Sequence, residues 1–230
     1  MRINKLTITG ADNSVGVDTL RVASILFPFI EWGILFSSQL RPRYPTKSYV
    51  DDLSQHSDLN LSAHFCGWYA NEVLEQKNYE LITRLSPNFK RVQLNYNFGK
   101  SSRYNLDGLF NFANSYSEKD IILQYNKSNA ETLNHFVAIN ILPRNIHFLH
   151  DSSGGRGTVI ERILPTIGNQ YTGYAGGLNP DNIESICDMI SGDEDDFEVW
   201  IDLESGVRTE DQFDVDKMCR ILQSVVKYIK

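Results

Sequence analysis

Eight short apolar runs rich in β-forming residues recur along the chain, at Ile3–Thr9, Glu31–Phe36, Leu61–Cys66, Arg91–Leu94, Asp120–Gln124, Asn145–His150, Gln170–Tyr174 and Glu198–Leu203. Their starts fall roughly 24–30 residues apart, the spacing of one strand and one helix per unit. Short apolar strands of this kind are buried on both faces and run parallel to their neighbours. Between them lie helical patterns. Val17–Phe27 carries Val17, Leu20, Ala23 and Ile25 and then meets Pro28. Ala130–Ala138 follows Ser128 as N-cap, and Pro180–Ile190 follows Asn179 as N-cap with Pro180 in the first turn. Asp214–Ile229 places Val215, Met218, Ile221, Leu222, Val225 and Ile229 on one stripe. Weaker helical patterns lie near Tyr49–Ser54 and Asn71–Thr83.

Eight strand–helix units in 230 residues predict an α/β chain folded as one closed, parallel (β/α)₈ TIM barrel. An open eight-stranded parallel sheet is the competing arrangement. No linker-like or low-complexity tract interrupts the chain, so residues 1–230 are expected to form a single domain.

Charge and composition narrow the partners. The net charge of −7 disfavours nucleic acid and anionic membranes, which need a basic surface. It leaves room for a phosphorylated small molecule, because a phosphate site needs only a few oriented N–H groups. Cys66, Cys187 and Cys219 are far apart and have no metal-ligand spacing, so neither a metal nor a cofactor is expected. Three unpaired cysteines and a start, MRINKLTITG, unlike a secretory signal point to a cytoplasmic protein. The most apolar stretch, Val22–Phe36, is broken by Pro28, Glu31 and Gly33 and is not expected to span a bilayer. Nothing in the sequence fixes the oligomeric state.

In such a barrel the chemistry sits at the C-terminal ends of the strands, with phosphate held after the seventh and eighth. The seventh run is followed by Gly176 and Gly177, and the eighth by Ser205 and Gly206, two adjacent small-residue loops suited to bringing backbone N–H groups to an anion. The sixth run leads into Asp151, a carboxyl at the mouth and a candidate general acid or base, then into a glycine-rich stretch with Arg156. The loop after the second run carries Arg41 and Arg43 between prolines and could clamp a carboxylate or phosphate. His64 and Cys66 lie in the third run, while Gln93 and Asn95 end the fourth as neutral hydrogen-bonding groups.

These segments resemble phosphoribosylanthranilate isomerase, the tryptophan-pathway (β/α)₈ enzyme. GGLNPDNI at 176–183 is similar to its seventh-strand phosphate loop, and DLESGV at 202–207 to its eighth-strand segment, with Asp214 and Lys217 continuing the match. LHDSSGGRGT at 149–158 resembles its sixth-strand motif, which implies a general-acid role for Asp151. The second strand with Pro42 and Arg43 is similar to the region that meets the anthranilate carboxylate; one inserted residue keeps Arg41 in consideration. The lysine that opens the family's first-strand motif is absent from Thr7-Ile8-Thr9-Gly10, and three further features depart from the family. Thr9 stands where its general-base cysteine should be, and a threonine hydroxyl cannot ionise near neutrality. Asn95 replaces a histidine, and the glycine-rich stretch before the last helix reads Arg208-Thr209-Glu210-Asp211-Gln212.

Three functions remain open. One is an isomerase or lyase of the aldose–ketose type acting on a phosphorylated sugar or ribosyl compound, with Asp151 as acid and a new base. Candidates for that base are Asp12, His64, Asp202 and Glu204, with Asp12 first. A relative of this fold uses paired aspartates on strands one and six, which makes Asp12 with Asp151 chemically reasonable by analogy. The second is isomerisation of phosphoribosylanthranilate itself with a rerouted base. The third is a non-catalytic phosphate-ligand binder or scaffold.

Overall fold

A computed structural model describes residues 1–39, 41–75, 80–97, 106–138, 142–151, 159–168 and 170–229. Eight parallel strands close into a barrel in sequence order: β1 Arg2–Thr9, β2 Ile30–Phe36, β3 Leu61–Cys66, β4 Phe89–Asn95, β5 Asp120–Tyr125, β6 Ile146–Asp151, β7 Thr172–Ala175 and β8 Glu198–Leu203. The last strand pairs with the first, so the sheet has no edge and the open-sheet alternative is excluded. Each expected run became a strand, with β3 and β8 matching residue for residue.

The helices are α1 Val17–Leu26, α2 Lys47–Leu53, α3 Trp68–Leu74, α4 Glu80–Thr83, α5 Leu106–Ser115, α6 Ala130–Ala138, α7 Ile183–Ser191 and α8 Val215–Val225. The weak pattern at Asn71–Thr83 splits into α3 and α4, with residues 76–79 outside the described ones. Helix α7 begins at Ile183, a turn later than expected; Asn179 still accepts from the Ile183 amide. At the start of α6 it is the Asn126 side chain, not that of Ser128, that accepts a backbone N–H. Asp214 caps α8 by accepting from the Lys217 amide at 3.0 Å. Ile25 and Val215, placed on core stripes from the sequence, are 68% and 37% exposed. At 100° per residue Ile25 points away from the side shared by Leu20 and Ala23. No described helix is long and apolar enough to cross a membrane.

Two cores result. A large one packs the outward faces of the strands against the helices. A small one inside the barrel consists of Ile122, Leu149 and Trp200 with Tyr171 and Ala175 against them. Beside it lies a layer of charged and polar side chains. Glu31 and Arg91, 0% and 1% exposed in their side chains, form an ion pair at 2.9 Å, and Thr7 donates to the same Glu31 carboxylate. The Arg91 guanidinium lies 4.1 Å from the centroid of the Trp200 ring. Gly173 makes room for that indole, since a Cβ there would fall 2.2 Å from Trp200. This layer fills the barrel below the mouth.

Candidate functional site

Above that layer a cavity of about 290 Å³ opens at the C-terminal ends of the strands. Strand alternation determines which side chains reach it. On β8, Trp200 and Asp202 share the inward face; on β6, Leu149 and Asp151 do so. Asp151 is level with Ala175, and Ala175 with Asp202. The two aspartates thus sit at one height, one strand apart on either side of β7, with Cα atoms roughly 10 Å apart by strand spacing.

Asp202 is 4% exposed, and burial pushes its carboxyl up to about 8; the hydrogen bond from Thr9 and the charge of Arg91 only partly offset this. Thr9 Oγ1 donates to Asp202 Oδ1 at 2.8 Å. Gly33 lets the threonine fit, because a Cβ at that position would lie 2.3 Å from Thr9 Oγ1 and 3.0 Å from His64 Nε2. Asp151 is 5% exposed and receives a 3.4 Å contact from Gln124 Nε2. Gln124, the inward residue near the end of β5, was not singled out from the sequence, although alternation along the strand would have found it.

His64 and Gln93 form part of the floor. Burial, aided by Arg91, lowers His64 to about 3, so its imidazole is neutral. Burial raises the Cys66 thiol to about 11, which leaves it unreactive at neutral pH.

The wall opposite the floor is made by the loops after β7 and β8. Gly176 and Gly177 adopt φ of 131° and 59°, a region open to glycine and strained for other residues. Gly206 is required by close approach: a Cβ there would fall 1.9 Å from the Leu178 carbonyl oxygen. The two loops are therefore pressed together. The amides of Gly176, Gly177 and Ser205 donate to no acceptor among the described residues. Gly176, Gly177 and Ser205 line the cavity.

Arg43 also lines the cavity, while Arg41 is exposed and does not. The Arg43 guanidinium is held by Glu204 at 2.6 Å and by Asp211 at 2.5 Å. Against partial burial, the Asp211 hydrogen bond and the nearby carboxylates raise its pKa further. Asp211 and Glu210 form the two-residue turn of a hairpin, β9 Arg208–Thr209 with β10 Gln212–Phe213, and both have positive φ, at 59° and 51°. The charged stretch after the eighth strand is thus the support of Arg43, a role the sequence did not reveal.

Asp12 is not brought together with Asp151. It is 1% exposed, accepts from Arg208 Nη2 at 2.6 Å and from the Ser14 amide at 2.7 Å, and does not line the cavity. Arg208 also donates to the Gly10 carbonyl, so this ion pair ties the loop after β1 to the hairpin after β8. The glycine-rich stretch after Asp151, with Arg156, lies outside the described residues. Among the described residues no group of three His, Cys, Asp or Glu side chains could hold a metal ion.

No protein-family profile matches the chain, and no curated protein matches it. Solved structures do. Phosphoribosyl anthranilate isomerase from Thermococcus kodakaraensis superposes with a TM-score of 0.58 at 13% identity, covering 96% of this chain and 98% of its own. N-(5'-phosphoribosyl)anthranilate isomerase from Pyrococcus furiosus gives 0.57 at 14% identity, with 97% and 99% covered. The 3-hexulose-6-phosphate synthase of Salmonella typhimurium gives 0.55 at 10%, again with 97% and 99% covered. The chain thus has phosphoribosylanthranilate isomerases among its structural neighbours, and at these identities the likeness is one of fold.

Proposed function

We propose that this chain binds a phosphorylated sugar or ribosyl small molecule at the barrel mouth and rearranges it by proton transfer, as an isomerase or lyase of the aldose–ketose type. The observation that carries this reading is the placement of Asp151 and Asp202 at one level of a cavity whose wall offers the amides of Gly176, Gly177 and Ser205, unengaged among the described residues. Amides of that kind suit a phosphate dianion. An aldose–ketose shift takes a proton from the carbon beside a carbonyl and supplies one to the carbonyl side, so it needs two groups. Asp202, protonated through neutral pH, is the donor, and Asp151 is the acceptor. This exchanges the acid role that the family resemblance implies for Asp151, and it replaces Asp12 with Asp202 as the second carboxyl. Three free thiols suit a cytoplasmic setting.

The test is calorimetric titration of the protein with inorganic phosphate, repeated on Gly177→Val. A Cβ at φ 59° would distort the loop and block the anion. Binding to the wild type and at least tenfold weaker binding to the variant are expected; equal affinities would remove the phosphate site. A second reading, a binder without turnover, is favoured by Thr9 at the position of the family's cysteine. It would be adopted if phosphorylated sugars bind and none is converted.

A further inference from the structure

The chemistry of the cavity floor restricts what hangs from the phosphate. Its polar side chains beyond the two aspartates include Thr9, His64, Gln93, Asn95 and Gln124, all uncharged, and no Phe, Tyr or Trp ring lines the cavity among the described residues. Two buried atoms there, His64 Nε2 and Gln93 Oε1, have no hydrogen-bond partner among the described residues. His64 and Gln93 are only 2% and 3% exposed, and both line the cavity. Buried polar atoms without partners are costly, and a ligand that satisfies them gains affinity. A hydroxyl can do so at either atom, since it both donates and accepts.

Charge points the same way. Arg43 is the one cationic side chain among the described lining residues, and Glu204 and Asp211 already engage it. Glu204 lines the cavity itself, beside Asp151 and Asp202. A carboxylate on the ligand would meet two acidic side chains besides the protonated Asp202, those of Asp151 and Glu204, and a cation that is already engaged.

We infer that the ligand beyond its phosphate is a neutral hydroxylated chain, a polyol or open-chain sugar, recognised by His64 and Gln93, and not the carboxylated aromatic ring of an anthranilate. This rests on the phosphate reading above. It makes His64 and Gln93 determinants of specificity and not proton carriers.

The experiment compares three probes by calorimetry: inorganic phosphate, ribitol 5-phosphate, and ribitol 5-phosphate carrying a 2-carboxyphenylamino group in place of its C1 hydroxyl. Ribitol 5-phosphate is expected to bind at least tenfold tighter than inorganic phosphate, and the aryl derivative weaker than ribitol 5-phosphate. In His64→Leu and in Gln93→Leu, the loss is expected on ribitol 5-phosphate and not on inorganic phosphate. Tighter binding of the aryl derivative would overturn the inference and leave the phosphate site standing. Equal binding of inorganic phosphate and ribitol 5-phosphate would do the same. If none of the three binds, both readings fall together.

Discussion

Thr9 and Asp202 are joined by a 2.8 Å hydrogen bond between β1 and β8, with the carboxyl buried and the threonine hydroxyl as its partner. Burial raises Asp202 to about 8, far above the ordinary 3.8. The folded state therefore keeps a proton that the unfolded chain releases between pH 4 and 8. Stability on this account is fully present below about pH 4 and is lost as pH rises towards 8. Asp202→Asn is neutral throughout and lacks that slope. Its Tm should equal or fall below that of the wild type near pH 4.5 and exceed it at pH 8, by about 3 °C or more, since 1 kcal/mol moves Tm by roughly 2–4 °C at this size. Parallel melting curves across this pH range would show that Asp202 titrates normally.

Turnover should depend on both aspartates and little on the threonine. Asp151→Asn and Asp202→Asn each keep shape and remove a proton-transfer group, so kcat should fall by about two to four orders of magnitude. Thr9→Val removes one hydroxyl and should cost about tenfold or less, acting through Asp202. Rates of the three variants on a converted phosphorylated sugar decide the matter. A Thr9→Val as damaging as Asp151→Asn would assign the chemistry to the hydroxyl.

Asp12 is expected to matter for stability and not for chemistry. Its ion pair with Arg208 has side chains 1% and 3% exposed, and removing one partner strands the other charge. Arg208→Met should destabilise the fold by about 3–5 kcal/mol in urea titration. Asp12→Asn keeps the hydrogen-bonding shape and should leave kcat within about threefold of wild type at a temperature where the variant is folded. A kcat loss matching that of Asp151→Asn would restore Asp12 as the second catalytic carboxyl.

The contact between the β7 and β8 loops predicts an unusual cost for a single methyl group. At Gly206 a Cβ meets the Leu178 carbonyl at 1.9 Å, whereas at Gly67 nothing lies within 4 Å despite a φ of +57°. Gly206→Ala should destabilise by about 1–3 kcal/mol and weaken inorganic phosphate binding. Gly67→Ala, at φ 57° and ψ −113°, should cost about 1–3 kcal/mol from backbone strain alone and leave binding intact. The pair, compared by denaturation and by titration, separates crowding from conformation.

The barrel was legible because each strand is an apolar run of fixed spacing, and that signal depends only on local order. The site was legible where strand alternation decides it, as at Asp151. It failed where the deciding partner is remote in sequence. Asp12 looks available just beyond β1 until Arg208, 196 residues later, takes its carboxylate. Asp211 reads as one charge in a charged stretch until the hairpin turn aims it at Arg43, 168 residues earlier. Asp202 was within reach, since alternation from Trp200 puts it inside, but its buried protonation needs the closed barrel around it. Helix α5 was missed because Gly108, Asn111 and Asn114 dilute its helical propensity, while Leu109, Phe112 and Ala113 are buried by tertiary packing.

The plug of Glu31, Arg91 and Trp200 has a consequence for traffic. Each of these residues is at most 1% exposed, so the barrel is a vessel with a floor and not a tube. Whatever arrives at the mouth must depart by the same doorway. A molecule lingering there obstructs its successor, and arrival and departure become rival uses of one passage.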